Sequence, residues 1–270
     1  MLVTYPADYS IIKSAYIVYY QEQEGRLKKF ILSDLHIGHK DAQYGAMDQA
    51  IAYIGKEAKR GDEIWGLGDW FHMYENGFEH CLRHPMTQKI RDLAGDIPTK
   101  LVPGNHDHIL EKYRDNPAMG NPLNPIKLTV PFMSGNIWYC HGHEYDPAVQ
   151  YIPQQLMWFY NHLPRRKNTP GNIKSSTITE RFIMLVYLVH SRALINLQQK
   201  ILKEHTGCKG IILGHTHLPL YQVSPELLFL LNDGDMRHSS TFTVEDDKEF
   251  RHLTWNEDTK KWQVISIPRP

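Results

Sequence analysis

Five short polar clusters carry the groups in this sequence that could do chemistry. They are Asp34-Leu35-His36, Gly68-Asp69, Gly104-Asn105-His106-Asp107, His141-Gly142-His143 and Gly214-His215-Thr216-His217. Taken as one site, they offer Asp34, His36, Asp69, Asn105, His141, His215 and His217 as metal ligands, a nitrogen and oxygen set without cysteine. Such donors suit Mn, Fe, Zn or Ni. Seven protein ligands exceed what one small catalytic ion can take while keeping an open position. They suit two ions sharing a carboxylate. A pair about 3.5–4 Å apart can polarise a phosphoryl group and generate hydroxide at neutral pH. Any single cluster is a weak signal, because Asp-x-His and Gly-Asp arise by chance and Gly-Asn is a common turn pair.

The elements that must position these residues can be read from what precedes them. Lys29-Phe30-Ile31-Leu32, Glu63-Ile64-Trp65-Gly66-Leu67, Lys100-Leu101-Val102-Pro103, Asn136-Ile137-Trp138-Tyr139-Cys140 and Lys209-Gly210-Ile211-Ile212-Leu213 each lead into one cluster. Short apolar runs bounded by glycine read as buried strands. In open α/β sheets, chemistry sits on the loops beyond the carboxyl ends of strands. Ala46, Ala50, Ile51 and Ile54 follow helical spacing, and a second helix is predicted over about Phe78 to Leu93, kinked or started near Pro85. After His217 the pattern becomes a β meander, with strands expected over 220–223, 227–231, 241–244, 250–255 and 262–267.

The spacing places an insertion. Asp34 to Asp69 is 35 residues, Asp69 to Asn105 is 36 and Asn105 to His141 is 36, whereas His141 to His215 is 74. The chain therefore reads as one domain over 1–270, class α/β, with a helical insertion at 147–207. Thr177-x-x-Glu180 is a capping box there, predicting a helix over about Ile178 to Glu204.

In this order and at these strand ends, the five clusters resemble the calcineurin-like metallophosphoesterases, over roughly Lys29 to His217. The resemblance implies a four-layer αββα sandwich of two mixed β-sheets flanked by helices. It implies that Asp34, His36 and His217 hold one divalent metal ion, that Asn105, His141 and His215 hold a second, and that Asp69 bridges them. Of the four candidate metals, Mn is favoured. It also implies hydrolysis of a phosphoester or pyrophosphate bond by a metal-bridging hydroxide, in line with the leaving oxygen. His106 would donate a proton to that oxygen or stabilise the transition state, and Asp107 would orient His106 through its other ring nitrogen.

The sequence after Asp69 bears on the substrate. Protein Ser/Thr phosphatases of this family carry Asp-Arg-Gly a few residues beyond the second cluster, but here the run is Gly68-Asp69-Trp70-Phe71-His72-Met73-Tyr74. That aromatic continuation, and Asn232-Asp233-Gly234-Asp235, resemble the branch containing the UDP-2,3-diacylglucosamine hydrolases of lipid A synthesis. Those enzymes also carry a helical insertion after the fourth cluster. The sequence departs from the branch at His106, where its members typically place Arg. The favoured reading is a phosphoesterase for a small or lipid-linked phosphorylated substrate. The alternatives are a UDP-2,3-diacylglucosamine diphosphatase, a DNA nuclease or phosphodiesterase, and a non-catalytic scaffold. If the insertion caps the site, Trp158, Phe159, Ile183 and Leu185 would contact an apolar substrate part. Arg165, Arg166 and Lys167 would meet phosphate or an anionic surface, which is compatible with peripheral membrane contact.

Composition bounds these readings. The 270 residues hold 30 basic and 30 acidic side chains, so the formal net charge is zero, which disfavours nucleic acid as the partner. Cys81, Cys140 and Cys208 are odd in number and widely spaced, so a disulfide framework is not expected and a reducing compartment fits. The start has no basic n-region, and the longest apolar run, Phe182 to Val189, has eight residues against about 20 needed to span a bilayer. The expectation is a cytoplasmic protein. Among the sixteen histidines, His39, His108 and His143 flank the clusters and read as supporting or solvent-facing residues. His80-Cys81-x-x-His84 lacks a fourth ligand for zinc.

Overall fold

The short apolar runs form strands, and their two-residue alternation sorts side chains into separate layers. The computed structural model describes residues 27–146, 207–217, 219–223 and 229–269, with Lys200, Ile201 and Glu204. Residues 1–26, most of the 147–207 insertion, and the roles expected of Arg165, Arg166 and Lys167 lie outside the described residues.

In chain order the first strands are β1 (Lys29–Leu32), β2 (Glu63–Leu67), β3 (Thr99–Val102), β4 (Lys127–Leu128), β5 (Phe132–Ser134) and β6 (Ile137–Tyr139). They are followed by β7 (Gly210–Leu213), β8 (Leu220–Val223), β9 (Phe229–Asn232), β10 (Thr241–Glu245), β11 (Glu249–Asn256) and β12 (Lys261–Pro268). A seven-stranded sheet runs β12-β11-β10-β1-β2-β3-β4, and a five-stranded sheet runs β5-β6-β7-β9-β8. Both are mixed. β1 to β4 are parallel while β10 pairs antiparallel with β1. In the second sheet β6, β7 and β9 are parallel and the edge strands antiparallel.

Three cores follow from the alternation. In β1, Phe30 and Leu32 point to the helices and Ile31 points to the other sheet. In β7, Ile212 points to the first sheet, and Ile211 and Leu213 to the far side. Between the sheets, Trp65, Leu67, Val102, Tyr139 and Leu231 join Ile31 and Ile212, all buried. Truncating Trp65 to alanine would cost about 3–5 kcal/mol, because the rigid sheets cannot close the cavity. On the far side, Ile201, in a helical stretch, packs against Cys140, Cys208, Ile211 and Leu230. This gives the helix–sheet–sheet–helix order.

The helices behind the first sheet are α1 (Tyr44–Glu57), α2 (Met73–Asn76), α3 (Phe78–Arg83), α4 (Pro85–Asp96) and α5 (Glu111–Asp115). Ala46, Met47, Ala50 and Ile54 form the buried stripe of α1. The helical run expected over Phe78–Leu93 breaks at His84. That residue leaves helical geometry and its side chain accepts the Met86 N–H at 3.2 Å, so α4 starts afresh with Pro85 in its first turn. His84 is thus a helix cap, and Cys81 is buried with its sulfur directed at the Ile37 carbonyl, 3.4 Å away. The three cysteines are free and buried. Among the described residues, no helix is long and apolar enough to cross a membrane.

Candidate metal centre

The carboxyl ends of β1, β2, β3, β6 and β7 lie at one end of the sandwich, and the five clusters converge there. Backbone hydrogen bonds hold the loops together. The Asp34 N–H donates to the Gly68 carbonyl at 3.0 Å, and the His36 N–H to the Asp69 carbonyl at 2.9 Å. The His215 N–H donates to Asp34 Oδ2 at 2.9 Å, joining the two sheets. Asp34, His36, Asp69, His215 and His217 all have positive φ, between 50° and 68°. Non-glycine residues rarely adopt this conformation and keep it only where surrounding structure enforces it. At Gly104 and Gly214 the loops approach so closely that a Cβ would collide with the Asp69 and Asp34 carboxylates respectively.

Each of the four candidate ligand histidines has one ring nitrogen anchored. His141 Nδ1 lies 2.8 Å from the Leu67 carbonyl. His217 Nδ1 lies 2.7 Å from Asp235 Oδ2, and His215 Nε2 lies 2.8 Å from Asp146 Oδ2. His36 Nδ1 lies 3.2 Å from Nδ1 of His72. Anchoring fixes ring orientation and tautomer and leaves the other nitrogen for an ion. His72, Asp146 and Asp235 are each buried and were not identified as site residues from sequence.

The second ring nitrogens of His36, His217 and His141 meet the carboxylates in two places. His36 Nε2 and His217 Nε2 are 3.2 Å apart, and lie 3.8 and 3.3 Å from Asp34 Oδ1. His141 Nε2 lies 3.2 Å from Asp69 Oδ2 and 3.2 Å from Asn105 Oδ1. Ligand atoms of Asp34, Asp69 and His141 fall within 4.8 Å of one another, as do those of Asp34, His36 and His217. Asp34 Oδ1 is buried without a hydrogen-bond partner. A buried carboxylate oxygen left unmatched beside two imidazole nitrogens is costly unless a cation completes it. The donor set therefore fits divalent metal ions.

Electrostatics set the protonation state in which these groups would meet an ion. Burial raises the Asp34 carboxyl well above its ordinary range, and burial with neighbouring imidazoles drops His36 well below its own. Both changes favour neutral forms. His141 is the exception: burial opposes its charge, but Asp69, Asp34 and Glu144 together outweigh burial and raise it to about 10. An ion taking His141 Nε2 must displace that proton.

His106 lies at the edge of this cluster. Its N–H donates to Asp69 Oδ1 at 2.8 Å, and its Nε2 is 3.9 Å from Asp69 Oδ2. Its ring stacks on His72 with centroids 4.5 Å apart. Burial lowers its pKa to about 3. The structure gives Asp107 a different task from the one expected. Its Oδ1 accepts the Gly104 N–H at 2.6 Å and its Oδ2 the Phe71 N–H at 3.3 Å. Backbone donors three residues before it and on the neighbouring loop take both oxygens, so Asp107 ties the β3 loop to the β2 loop. Of the flanking histidines, His39 is buried and accepts the Asp41 N–H at 3.0 Å, His108 is exposed, and His143 lies 5.2 Å from His141 between ring centroids.

This sandwich, with histidine and aspartate donors gathered at one end, is the arrangement of a metallophosphatase. The calcineurin-like phosphoesterase profile matches residues 27–219, and the chain belongs to that family. It is similar to the UDP-2,3-diacylglucosamine hydrolase of Shewanella frigidimarina (strain NCIMB 400), 24% identical over 206 residues that cover 71% of this chain and 82% of the relative. Among solved structures it is similar in fold to a dimetal phosphatase from Danio rerio, with TM-score 0.50, 9% identity and coverage of 90% of this chain and 99% of that one. Vacuolar protein sorting 29 from Cryptosporidium parvum matches with TM-score 0.47 and 13% identity, over 90% of this chain and 99% of that one. At the level of the family, the protein is a metal-dependent phosphoester hydrolase, and the His and Asp clusters offer ligands for its divalent ions.

Proposed function

We propose that Asp34, His36 and His217 hold one divalent ion, that Asn105, His141 and His215 hold a second, and that Asp69 is shared. The substrate is a small or lipid-linked phosphoester or pyrophosphate, and manganese is the favoured metal. The observation that carries this reading is the anchoring of all four histidines, one ring nitrogen each, beside the grouped carboxylates of Asp34 and Asp69. Bound divalent ions would supply Lewis acidity toward the phosphoryl oxygens and lower the pKa of a water molecule.

The chain's own residues do the rest. Asp69 receives the His106 N–H on one oxygen and keeps the other toward His141. His106, held between that bond and the His72 ring, is fixed where it can hydrogen-bond a leaving oxygen. A UDP-diacylglucosamine substrate is supported by the Shewanella relative and opposed by His106, which stands where that branch typically has Arg.

A panel with Mn²⁺ tests the reading: p-nitrophenyl phosphate, bis-p-nitrophenyl phosphate, UDP-2,3-diacylglucosamine and single-stranded DNA. Turnover of the small or lipid-linked esters is expected. Turnover of DNA alone would make it a nuclease. No turnover with two metals bound would make it a scaffold.

A further inference from the structure

Among the described residues the two sheets end in four edge strands, and three of them are short. β4 has two residues, β5 three and β8 four. β12 has eight, and it pairs with β11 along its whole length without a bulge. Short strands, bulges, charges and proline are the devices that keep a sheet edge from pairing with another chain. β12 carries only Lys261 at its start and Pro268 at its end, and Gln263-Val264-Ile265-Ser266-Ile267 between them is uncharged.

The ladder fixes which backbone groups point outward. The Arg269 N–H donates to the Lys248 carbonyl at 2.9 Å, and on the other side of β11 the Trp255 N–H donates to the Ser240 carbonyl at 2.9 Å. Even-numbered residues of β11 therefore bond to odd-numbered residues of β12. Trp262, Val264 and Ser266 turn their N–H and C=O groups outward, where no described strand lies. Apolar side chains are open on both faces of this edge. Val264 is 51% exposed on the face where Trp262 packs toward the helices. Ile265 is 61% exposed on the face where Ile267 packs toward the other sheet.

This edge fits a copy of itself. A two-fold axis at Val264 pairs two β12 strands antiparallel and sets Val264 opposite the partner's Val264. Trp262 then stands opposite the partner's Ser266, Gln263 opposite the partner's Ile265 and Lys261 opposite the partner's Ile267. The outward groups of Trp262, Val264 and Ser266 all become hydrogen-bonded pairs in this register. Moving the axis to Ile265 would set Pro268, which has no N–H, opposite Trp262. No two like charges stand directly opposite, and Arg269 falls opposite the partner's Thr259, next to an aspartate at 258. The two Ile265 side chains are diagonal neighbours across the axis, within reach of each other.

We propose that β12 is a dimer interface that joins two copies of this chain edge to edge, so that their seven-stranded sheets become one. The metal centre lies beyond β1, three strands from β12. That is about 14 Å at about 4.8 Å per strand, so the pairing leaves each centre uncovered.

Sedimentation velocity on the full chain reads the mass, and circular dichroism checks the fold of each variant. Wild type is expected at twice the 31.5 kDa of one chain. Val264→Lys sets two ammonium groups against each other at the axis and should weaken the dimer about 100-fold or more. Val264→Pro removes an outward N–H without touching the ladder to β11 and should be a monomer. Val130→Lys charges an equally exposed apolar residue away from β12 and should leave the dimer as it is. A second readout needs no variant: amide exchange at Trp262, Val264 and Ser266 should slow as wild type is concentrated through its dissociation range. A monomeric wild type overturns the proposal. So does a dimer of wild-type strength in both folded Val264 variants, or one lost equally in Val130→Lys, because the interface is then elsewhere. Exchange at the three amides that ignores concentration overturns it as well.

Discussion

The imidazoles of His36 and His72 meet nitrogen to nitrogen, Nδ1 to Nδ1, at 3.2 Å. Only one of the two can carry the shared proton. When His36 gives its Nε2 lone pair to an ion, its proton sits on Nδ1, and His72 must be the acceptor. His72→Ala removes that acceptor and the ring under His106. The expected result is a loss of about 10–100-fold in Mn²⁺ affinity, read by titration with the fold checked by circular dichroism. Unchanged affinity would show that His36 is held by its backbone alone.

Asp69→Asn is expected to lose metal and activity together. Asparagine can still accept the His106 N–H through its amide oxygen, so the loop survives while the charge shared by two ions is lost. Elemental analysis checks this, and two metals per chain in the variant would show that Asp69 is not the shared ligand.

His106→Ala should retain both metals, because none of the four anchored imidazoles depends on it. Turnover of an ester with a poor leaving group should fall about 10²–10⁴-fold, the range for a general acid. An unchanged rate on such an ester would remove His106 from the chemistry.

Gly214→Ala should impair metal binding from outside the ligand set. The added methyl would meet the Asp34 carboxylate and the Ser33 side chain, neither of which has room to retreat. A drop in metal content with a lowered melting temperature is expected. A variant with wild-type metal content would show that the loops are more compliant than their packing implies.

Asp233 makes a prediction about stability. It is fully buried, and burial pushes its carboxyl up to about 8. Between the ordinary value near 3.8 and about 8, the folded chain holds a proton there that the unfolded chain has lost. Its contribution to stability therefore falls as pH rises through that window, by at most about 1.4 kcal/mol per pH unit, and levels off above it. Asp233→Asn mimics the protonated acid and can still accept the Ser33 N–H, so it should flatten the urea-unfolding profile over that window. A profile as steep as wild type would assign the slope to other groups.

The parts of the centre that could be read from sequence are those in which strand, glycine and ligand are neighbours in the chain. Leu67-Gly68-Asp69 and Leu213-Gly214-His215 carry their own context. The anchors do not. His72 is 36 residues from His36 and Asp146 is 69 from His215, and only folding brings each pair together. Asp107 shows the opposite error, because the family resemblance implied a ring contact where backbone N–H groups hold the carboxylate. In the fold, the strands before the clusters were legible from their apolar runs. The break at His84 was legible only as an effect of Pro85, since whether proline kinks or starts a helix depends on what caps it.

The left-handed backbone at Asp34, His36, Asp69, His215 and His217 limits how the centre could be transplanted. Grafting the seven donors onto helices or regular strands would carry the side chains without the angles that aim them. The portable unit is larger: loops from both sheets, the glycines that let them touch, and the buried partners His72, Asp146 and Asp235. A designer borrowing this chemistry would have to borrow the junction between two sheets.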